Sequence, residues 1–380
     1  MKKLLIKNTL FLSGRNAGQA EENDILICDD LIEKIAPSIE ADGECEILDV
    51  SKGYVSQGFI DSHVHVGVPG MTQYKGMEMG IDIEKFGIQS GVATMIDAGT
   101  FGANSIENAI EYTKTLETKV FFLMNASKTG IQPNTPELEN LDNIDLQAAQ
   151  DVYSRNKESI VGIKARASIS ASGSAGIKAI EKAKELAVEL GLPMMVHIGN
   201  EPPAITDVLN LLTKGDVITH CFHGKLSNAI VNEDYSLRPE TMRARERGVQ
   251  FDVGHGSASF NAEVARRCFD QGFVSDMIST DLHSMNCKGP VFDLPLTISK
   301  MLLFDENIAH WIPDVTVNPG RVFHIGITDG DFIGKPANLV IFRIIPTDET
   351  QFDSDKNPIH LMRKMDVQAV FKGDHIIEVK

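Results

Sequence analysis

Eight short apolar runs limit what this chain can fold into more strongly than any other feature of its sequence. Each run leads into a polar residue or a glycine, and segments with helical periodicity separate the runs. The runs are, in chain order, GFIDSHVHVG (58–67), GVATMIDAGT (91–100), VFFLMNAS (120–127), IVGIKARAS (160–168), PMMVHIGN (193–200), DVITHCFHG (216–224), VQFDVGHGS (249–257) and DMISTDLHS (276–284). Strands that alternate with helices form βα units, and eight such units predict an α/β fold of the (β/α)8 TIM barrel type.

The helical segments support this interpretation. The clearest of them, AGIKAIEKAKELAVELG (175–191), repeats apolar residues at positions i, i+3 and i+4 and ends on Gly191, a residue type that commonly terminates helices. A doubly wound parallel sheet is the alternative α/β fold. That fold would not usually require eight strands with such similar polar ends, so the sequence favours the barrel.

Both ends of the chain consist of short strand-like pieces separated by turn residues. Turns are predicted at positions 29–30 near the start and at positions 372–374 near the end. Neither end is large enough to bury a core alone, so we expect the two to pair into one small β-sandwich domain. The predicted division is therefore residues 1–56 and 323–380 for the sandwich and residues 57–322 for the barrel.

The chain is strongly acidic, which limits its partners. Its 36 lysine and arginine residues against 53 aspartate and glutamate residues leave a formal net charge of −17. A nucleic-acid surface or an anionic membrane surface requires clustered basic residues, so we expect neither partner. No apolar run approaches the roughly 20 residues of a membrane span. The five cysteines are scattered, as we expect for reduced thiols in a cytoplasmic protein.

The unusual polar residues stand at the ends of the predicted strands, where TIM barrels carry their chemistry. His63 and His65 are at positions i and i+2 of the first strand, so both side chains leave the same face and could bind one divalent metal ion. His197 and His220 end the fifth and sixth strands and could bind a second ion. Asp281 ends the eighth strand and offers an anionic ligand and a base. A lone strand histidine is more often a hydrogen-bonded core residue, so the prediction rests on the whole set.

Lys164 ends the fourth strand and shares a face with Arg166. Two cations beside a pair of metal ions would repel them, and unpaired buried cations are costly. If Lys164 reacts with CO2 it becomes a carbamate, an anion whose two oxygens can bridge two metal ions. A Schiff-base lysine, as in barrel aldolases, is the alternative, but it would leave the histidines and the aspartate unexplained.

The sequence resembles the amidohydrolase superfamily over nearly its whole length. The motifs that carry the resemblance are GFIDSHVH (58–65), VGIKAR (161–166), MMVHIGN (194–200), VITHCFHG (217–224), ISTDLH (278–283), VTVNPGRVFHIG (315–326) and GDFIGKPANLVIFR (330–343). The resemblance implies that His63 and His65 bind the more buried metal ion and that His197 and His220 bind the other. It also implies that carboxylated Lys164 bridges the two ions, and that Asp281 ligates the first ion and acts as the proton shuttle.

Two residues depart from the pattern of this family. Dihydroorotases typically carry an arginine two residues after the second histidine of the first-strand motif, and Gly67 stands there, which tells against dihydroorotase itself. Asn338 replaces an aspartate that the family usually has near its last strands, and this change does not concern the chemistry. The likeness is greatest to the dihydroorotase-like group whose members are labelled deacetylases or adenine deaminases.

The resemblance implies hydrolysis of an acyl C–N or C–O bond of a small molecule by a hydroxide that bridges two divalent metal ions, with zinc as the expected metal. Arg166, His255 and His283 are the predicted substrate contacts. The planar guanidinium of Arg166 suits a substrate carboxylate, and a structural ion pair is the alternative for this residue. A purine-type deaminase, a cyclic-amide hydrolase and a metal-free scaffold are the alternative functions. The sequence leaves the substrate and the oligomeric state open, a homo-oligomer included.

Overall fold

The computed structural model of the protein describes residues 2–14, 18–74, 77–132, 135–326 and 330–379. The strands of these residues are β1 (Lys3–Leu12), β2 (Glu21–Cys28), β3 (Leu31–Ala36), β4 (Cys45–Asp49), β5 (Tyr54–Gln57), β6 (Phe59–Val64), β7 (Gln73–Tyr74), β8 (Met77–Glu78), β9 (Val92–Ala98), β10 (Lys119–Asn125), β11 (Ile160–Ala167), β12 (Met194–Ile198), β13 (Val217–Thr219), β14 (Gln250–Asp252), β15 (Asn338–Phe352), β16 (Pro358–Lys372) and β17 (His375–Glu378). The α-helices are α1 (Ile83–Phe86), α2 (Ile106–Thr113), α3 (Leu146–Arg155), α4 (Ile169–Ser172), α5 (Ile177–Leu190), α6 (Ile205–Leu211), α7 (Pro239–Glu246), α8 (Ala262–Asp270), α9 (Leu294–Met301), α10 (Ile308–Trp311) and α11 (Val317–Val322).

A curled parallel sheet forms the barrel, as the sequence predicts. Its strands follow the order β14-β13-β12-β11-β10-β9-β6 and correspond to the first seven apolar runs. Helices fill most of the connections between these strands, and the predicted helix of residues 175–191 is α5, which ends at Gly191 in the left-handed conformation. The TIM-like barrel is therefore confirmed.

The eighth apolar run closes this barrel without forming a regular strand, so the prediction of an eighth strand is wrong in that detail. Isolated parallel bridges join Met277 to Asp252 on one side and Leu282 to Val64 on the other. The backbone between the bridges leaves the extended conformation, since φ of Asp281 is +50°. A regular ladder cannot continue through a residue in the left-handed region.

The two chain ends form one mixed sheet, ordered β17-β16-β15-β5-β1-β2-β3, with β4 paired to β1. The predicted turn at positions 29–30 joins β2 to β3, and the turn at positions 372–374 joins β16 to β17. Asp29 and Asp30 both have positive φ, which is the geometry of the tight turns that suit the twist of a hairpin. The parallel pair β1–β5 and the antiparallel pair β5–β15 connect the first strands of the chain to the last ones.

A layer of apolar side chains forms a floor inside the barrel. Met195 on β12 and Leu123 on β10 belong to this buried layer. His197 and Asn125 follow them by two residues, so they leave the same face of their strands one step nearer the carboxyl ends. The barrel therefore presents a closed apolar base below a polar upper end, which is where the predicted site residues stand.

The long hairpin β15–β16 reaches from the mixed sheet to the mouth of the barrel. Its tip, residues 353–357, makes hydrogen bonds to the loop that follows β14, and Asp355 lies beside Gly224 in the loop that follows β13. The amide of Ser354 donates to the carbonyl oxygen of Phe260 at 2.9 Å, and the side chain of Asn261 donates to Asp355 Oδ2 at 2.7 Å. The mixed sheet therefore contributes to the wall of the barrel mouth. Among the described residues, none of the helices is both long and apolar enough to cross a bilayer.

Asp216 holds the opposite, amino-terminal end of the barrel together. Its buried carboxylate accepts the amide hydrogens of Met194 at 3.0 Å and Thr213 at 2.8 Å, and it pairs with Lys184 of α5 at 2.5 Å. This one side chain therefore links β12, the start of β13 and a covering helix. Polar residues at this end of a barrel serve stability rather than catalysis.

We expect Asp216→Ala to lower the free energy of unfolding by about 2–4 kcal/mol, because it leaves buried donors and a partly buried lysine without an acceptor. Urea titration followed by circular dichroism measures the change. Glu185→Ala, an exposed position on α5, is the control and should stay within about 0.5 kcal/mol of the wild type. Equal midpoints for the wild type and Asp216→Ala would contradict the assignment.

Candidate metal centre

Three ligand atoms converge where the ends of the first and eighth runs meet. The ligand atoms of His63, His65 and Asp281 all lie within 4.8 Å of one another. Asp281 Oδ1 is 3.3 Å from His63 Nε2 and 3.2 Å from His65 Nε2. Two imidazoles and a carboxylate that face one point form a ligand set that suits a divalent transition metal.

Hydrogen bonds behind the ring determine which nitrogen of His63 faces this point. Its Nδ1 lies 2.9 Å from Thr219 Oγ1, and that hydroxyl donates to Asp252 Oδ2 at 2.7 Å. Since the hydroxyl proton is directed to Asp252, Thr219 accepts the proton of Nδ1. The lone pair of His63 is therefore on Nε2, the tautomer that a metal ligand requires.

His65 has an equivalent support. Its Nδ1 lies 2.8 Å from Thr100 Oγ1. The buried carboxylate of Asp97 accepts the amide of Thr100 at 2.9 Å and the amide of Val66 at 3.0 Å, and so fixes the chain on both sides of the ring. This arrangement holds the ring in place and directs its Nε2 towards Asp281.

His220 and His197 form a second group of imidazoles next to the first. Their ring centroids are 4.4 Å apart, and the ring of His63 is 5.1 Å from that of His220. His220 Nδ1 donates to the carbonyl of Gly254 at 2.6 Å. Its Nε2 is buried and has no hydrogen-bond partner among the residues that the structure describes, although it lies 3.9 Å from Asp281 Oδ2. A buried acceptor without a donor is costly, and a metal ion would satisfy it.

Burial keeps these two imidazoles neutral. It lowers the pKa of His220 well below the usual range, and it does the same to His197, where the neighbouring His220 and Arg166 add to the effect. Histidine binds metal only in its neutral form, so both rings are in the protonation state that ligation needs.

Lys164 lies fully buried between the two groups. Its Nζ is 3.0 Å from His63 Nε2 and 3.4 Å from the sulfur of Met195. Burial lowers the pKa of Lys164 to about 7, so a large part of the side chain is the neutral amine near that pH. The amine donates to the lone pair that a metal ion at His63 would use, and a carbamate on the same nitrogen would instead direct oxygens towards that position.

Gly99 provides the space that Lys164 occupies. A Cβ atom on Gly99 would lie 2.6 Å from Cβ and 2.7 Å from Cγ of Lys164, closer than carbon atoms approach. Gly99 also has a φ of +80°, which glycine adopts without strain. The close contact therefore requires glycine at this position.

The Asp281 carboxylate is ionised. Burial alone would raise its pKa, but the adjacent His63 and His65 outweigh burial and hold the pKa well below its usual range. Its backbone is fixed by hydrogen bonds at both polar groups: the amide donates to the carbonyl of His63 at 2.7 Å, and the carbonyl accepts the side chain of Asn286 at 2.8 Å. The strained left-handed residue is thus held by contacts on either side.

The predicted substrate contacts have different surroundings. Arg166 makes a two-pronged ion pair with the buried Glu137, with N–O distances of 2.6 and 2.8 Å. His255 is fully buried, and both of its ring nitrogens have protein partners: Nε2 lies 2.9 Å from Lys300 Nζ, and Nδ1 lies 3.1 Å from the carbonyl oxygen of Gly256. The roles of Arg166 and His255 in binding substrate stay predictions.

His283 stands at the rim of the candidate centre. Its ring centroid is 6.4 Å from that of His65, and it is only partly buried. Its Nδ1 accepts the amide of Met285 at 3.3 Å, and its Nε2 donates to the hydroxyl of Ser257 at 3.0 Å. The role of His283 in binding substrate also stays a prediction. Unlike the buried His255, the ring of His283 is partly exposed at the mouth of the barrel.

Sequence reasoning missed the residues that orient the ligands: Thr219, Asp252, Thr100 and Asp97. A signal for two of them was present, since Asp97 and Asp252 end the second and seventh apolar runs just as Asp281 ends the eighth. Glu137 had no such signal, because it lies in a loop and reaches Arg166 only through the fold.

The backbone of residues 79–81 covers Gly67. The amide of Gly67 donates to the carbonyl of Ile81 at 2.9 Å, and a Cβ atom on Gly67 would lie 2.7 Å from that oxygen. Gly80 packs equally closely, since its own Cβ position is 2.2 Å from the Cα of Gly67. A long side chain at position 67 has no room in this arrangement.

The family model for the amidohydrolase family matches residues 54–377 of the chain. A deacetylase of Agrobacterium fabrum (strain C58) is 33% identical over 368 residues, which cover 96% of this chain and 88% of that protein. A deacetylase of Enterococcus faecalis (strain V583) is 35% identical over 356 residues, which cover 93% of this chain and 92% of that protein.

Two solved structures with the same fold are described as enzymes with different activities. A crystal structure of an adenine deaminase matches with a TM-score of 0.88 at 33% identity and covers 100% of both chains. A crystal structure of a dihydroorotase matches with a TM-score of 0.88 at 31% identity and covers 100% of this chain and 98% of that chain. Because one fold supports several reactions, the likeness alone does not decide the substrate.

We expect Gly99→Ala to lower both metal content and kcat/KM, the latter by about tenfold or more, because the new methyl group displaces Lys164 from the centre. Elemental analysis of the purified protein and steady-state kinetics measure the two effects. Gly191→Ala is the matched control: its φ is also positive, at +68°, but no atom lies within 4 Å of the new Cβ. The hypothesis fails if both variants keep the metal content of the wild type.

Proposed function

The chain belongs to the amidohydrolase family, and from this premise we propose that it is a metal-dependent hydrolase that cleaves an acyl C–N or C–O bond of a small molecule. The observation that carries the proposal is the convergence of His63, His65 and Asp281 on one point. The deacetylase relatives, which match nearly the whole chain, support an acyl group as the part of the substrate that is removed.

We propose that the centre holds two divalent metal ions, with zinc as the expected metal. His63, His65 and Asp281 would bind one of them, and His197 and His220 would bind the other. The orphaned Nε2 of His220 and the neutral state of both second-group rings support this division. When bound, the metal ions lower the pKa of a water molecule and polarise the substrate carbonyl group.

The two oxygens of Asp281 would have different roles, one as a metal ligand and one as a proton acceptor. Oδ1 faces the nitrogens of both first-group histidines, so it serves as the ligand. Oδ2 lies on the side of His220 and Gly256, so it is free to take the proton of the attacking water and pass it to the leaving nitrogen or oxygen. The carboxylate of Asp281 is ionised, the form in which it can accept this proton.

Two alternative reactions have a specific observation in their favour. The likeness to the structure described as an adenine deaminase supports a deaminase, which would release ammonia from a ring carbon. The likeness to the structure described as a dihydroorotase supports a cyclic-amide hydrolase. The backbone that covers Gly67 argues against a cyclic-amide hydrolase of the dihydroorotase type, since the arginine typical of dihydroorotases has no space there.

A substrate screen with the zinc-loaded protein tests the proposed reaction. We expect N-acyl amino acids or acylated hydroxy acids to release their carboxylic acid, because the relatives over the full chain are deacetylases. Chromatography of the released acid and an ammonia assay with adenine and related bases distinguish the reactions. Ammonia release from a purine without acid release from any acyl compound would refute the proposal in favour of the deaminase.

We expect Lys164→Ala to bind no more than one metal ion per chain and to lose nearly all activity, because the bridge between the two ligand groups is gone. Short carboxylic acids such as acetate or propionate should restore part of the activity, since they can occupy the space of the carbamate. Inductively coupled plasma spectrometry and rescue kinetics measure both effects. A variant with two metal ions and full activity would show that Lys164 does not bridge them.

A further inference from the structure

Lys225 is a partly buried cation in the loop that follows β13, on the same side of the barrel as the candidate centre. Its Nζ donates to the backbone carbonyl of Ala258 at 2.7 Å. Among the residues that the structure describes, Lys225 forms no direct ion pair, although the carboxylate of Asp355 lies beside the neighbouring Gly224. An ammonium has three N–H donors, so at least two of them are not used by the Ala258 carbonyl.

The hydrogen bond to Ala258 places this ammonium against a loop that borders the candidate metal centre. Ala258 belongs to the loop after β14, which also carries Gly256, and the Cβ position of Gly256 is only 2.6 Å from Asp281 Oδ2. Burial lowers the pKa of Lys225, while the carboxylates of Asp355 and Asp281 oppose that change by favouring the charged form. The ammonium is therefore close enough to Asp281 for their charges to interact.

Other cations around the centre are already engaged. The guanidinium of Arg166 is neutralised by the two oxygens of Glu137. Lys164 is fully buried at His63, and the buried Lys300 donates to two backbone carbonyls as well as to His255. Lys225 differs from these residues in combining two properties: it is partly exposed, whereas Lys164 and Lys300 are buried, and its partner is a neutral carbonyl, whereas Arg166 is paired with Glu137.

A partly buried ammonium that forms no direct ion pair is unfavourable for stability, and such residues are often kept for binding. We propose that Lys225 binds a carboxylate of the substrate and so selects acyl compounds that carry a carboxylate close to the bond to be cleaved. This inference rests on the proposed function and names the substrate class for that site. A single compact ammonium matches a monoanionic group, whereas phosphate sites usually collect several donors.

The competing role for Lys225 is purely structural, as a link between the loops after β13 and β14. The two roles differ in which substrates they affect. A structural link supports the turnover of charged and neutral substrates alike. A carboxylate-binding residue supports only the charged ones, mainly through KM.

The test compares N-acetyl-leucine with its neutral analogue N-acetyl-leucinamide in the zinc-loaded full-length protein. We expect Lys225→Met, which keeps the apolar stem, to lower kcat/KM for the acid by roughly tenfold to a hundredfold, the range for losing one charge-assisted hydrogen bond. The amide should change by less than about twofold. Lys225→Arg should restore much of the preference for the acid. Lys178→Met, an exposed lysine on α5, should leave both substrates unchanged.

Binding measurements keep the result independent of turnover. If the wild type cleaves neither compound, calorimetry with the same pair decides: a preference for the acid that Lys225→Met abolishes supports the inference although the proposed reaction fails. Equal losses for acid and amide in the variant would overturn the inference and leave the proposed reaction intact. A wild-type protein that prefers the acid in neither kinetics nor binding would also overturn it.

Discussion

The Asp281 carboxylate, held between His63 and His65, is the constraint on which much of the structure depends. To reach both rings, its backbone takes a left-handed conformation, which a non-glycine residue adopts at a cost of about 1–3 kcal/mol. The eighth segment therefore closes the barrel through isolated bridges instead of a regular strand. His220 also has a positive φ, of +71°, directly after β13 ends. Both irregularities occur at predicted ligands. The barrel therefore departs from regular strand geometry at the positions where a side chain must face the candidate centre.

The orientation of the predicted ligands depends in turn on buried polar groups. The apolar pattern of the strands does not require such groups. Thr219 and Asp252 set the tautomer of His63, and Thr100 with Asp97 supports His65. These groups are buried, and each makes at least one hydrogen bond within the protein. The result is a rigid shell in which the neutral nitrogens face inward, an arrangement that favours binding of a cation over rearrangement of the rings.

The sequence predicts the barrel and the convergence of its polar strand ends because both follow from local patterns: apolar runs of strand length and the residue that ends each run. It predicts less well whatever depends on partners that are distant along the chain. The sequence left open whether Arg166 contacts a substrate or forms an ion pair, and the fold identifies Glu137, from a loop that is distant along the chain, as its partner. His255 is a predicted substrate contact at a strand end, and its partners Lys300 and Ser354 are distant along the chain and could not be named from its own run. The irregular eighth segment was also missed, because a positive φ at Asp281 leaves no mark in the run DMISTDLHS.

The pairing of β5 with β15 has a consequence for how the chain is made. β5 joins the first strands to the barrel, and its partner on one side is supplied by β15, which the ribosome completes only after the whole barrel has been synthesised. Until then the edge of β5 exposes unpaired amide and carbonyl groups, which can pair with another nascent chain. Contacts so distant in sequence also form slowly. The mixed sheet can therefore be completed only after the barrel has been synthesised, and the open edge of β5 is a site at which nascent chains can associate until then.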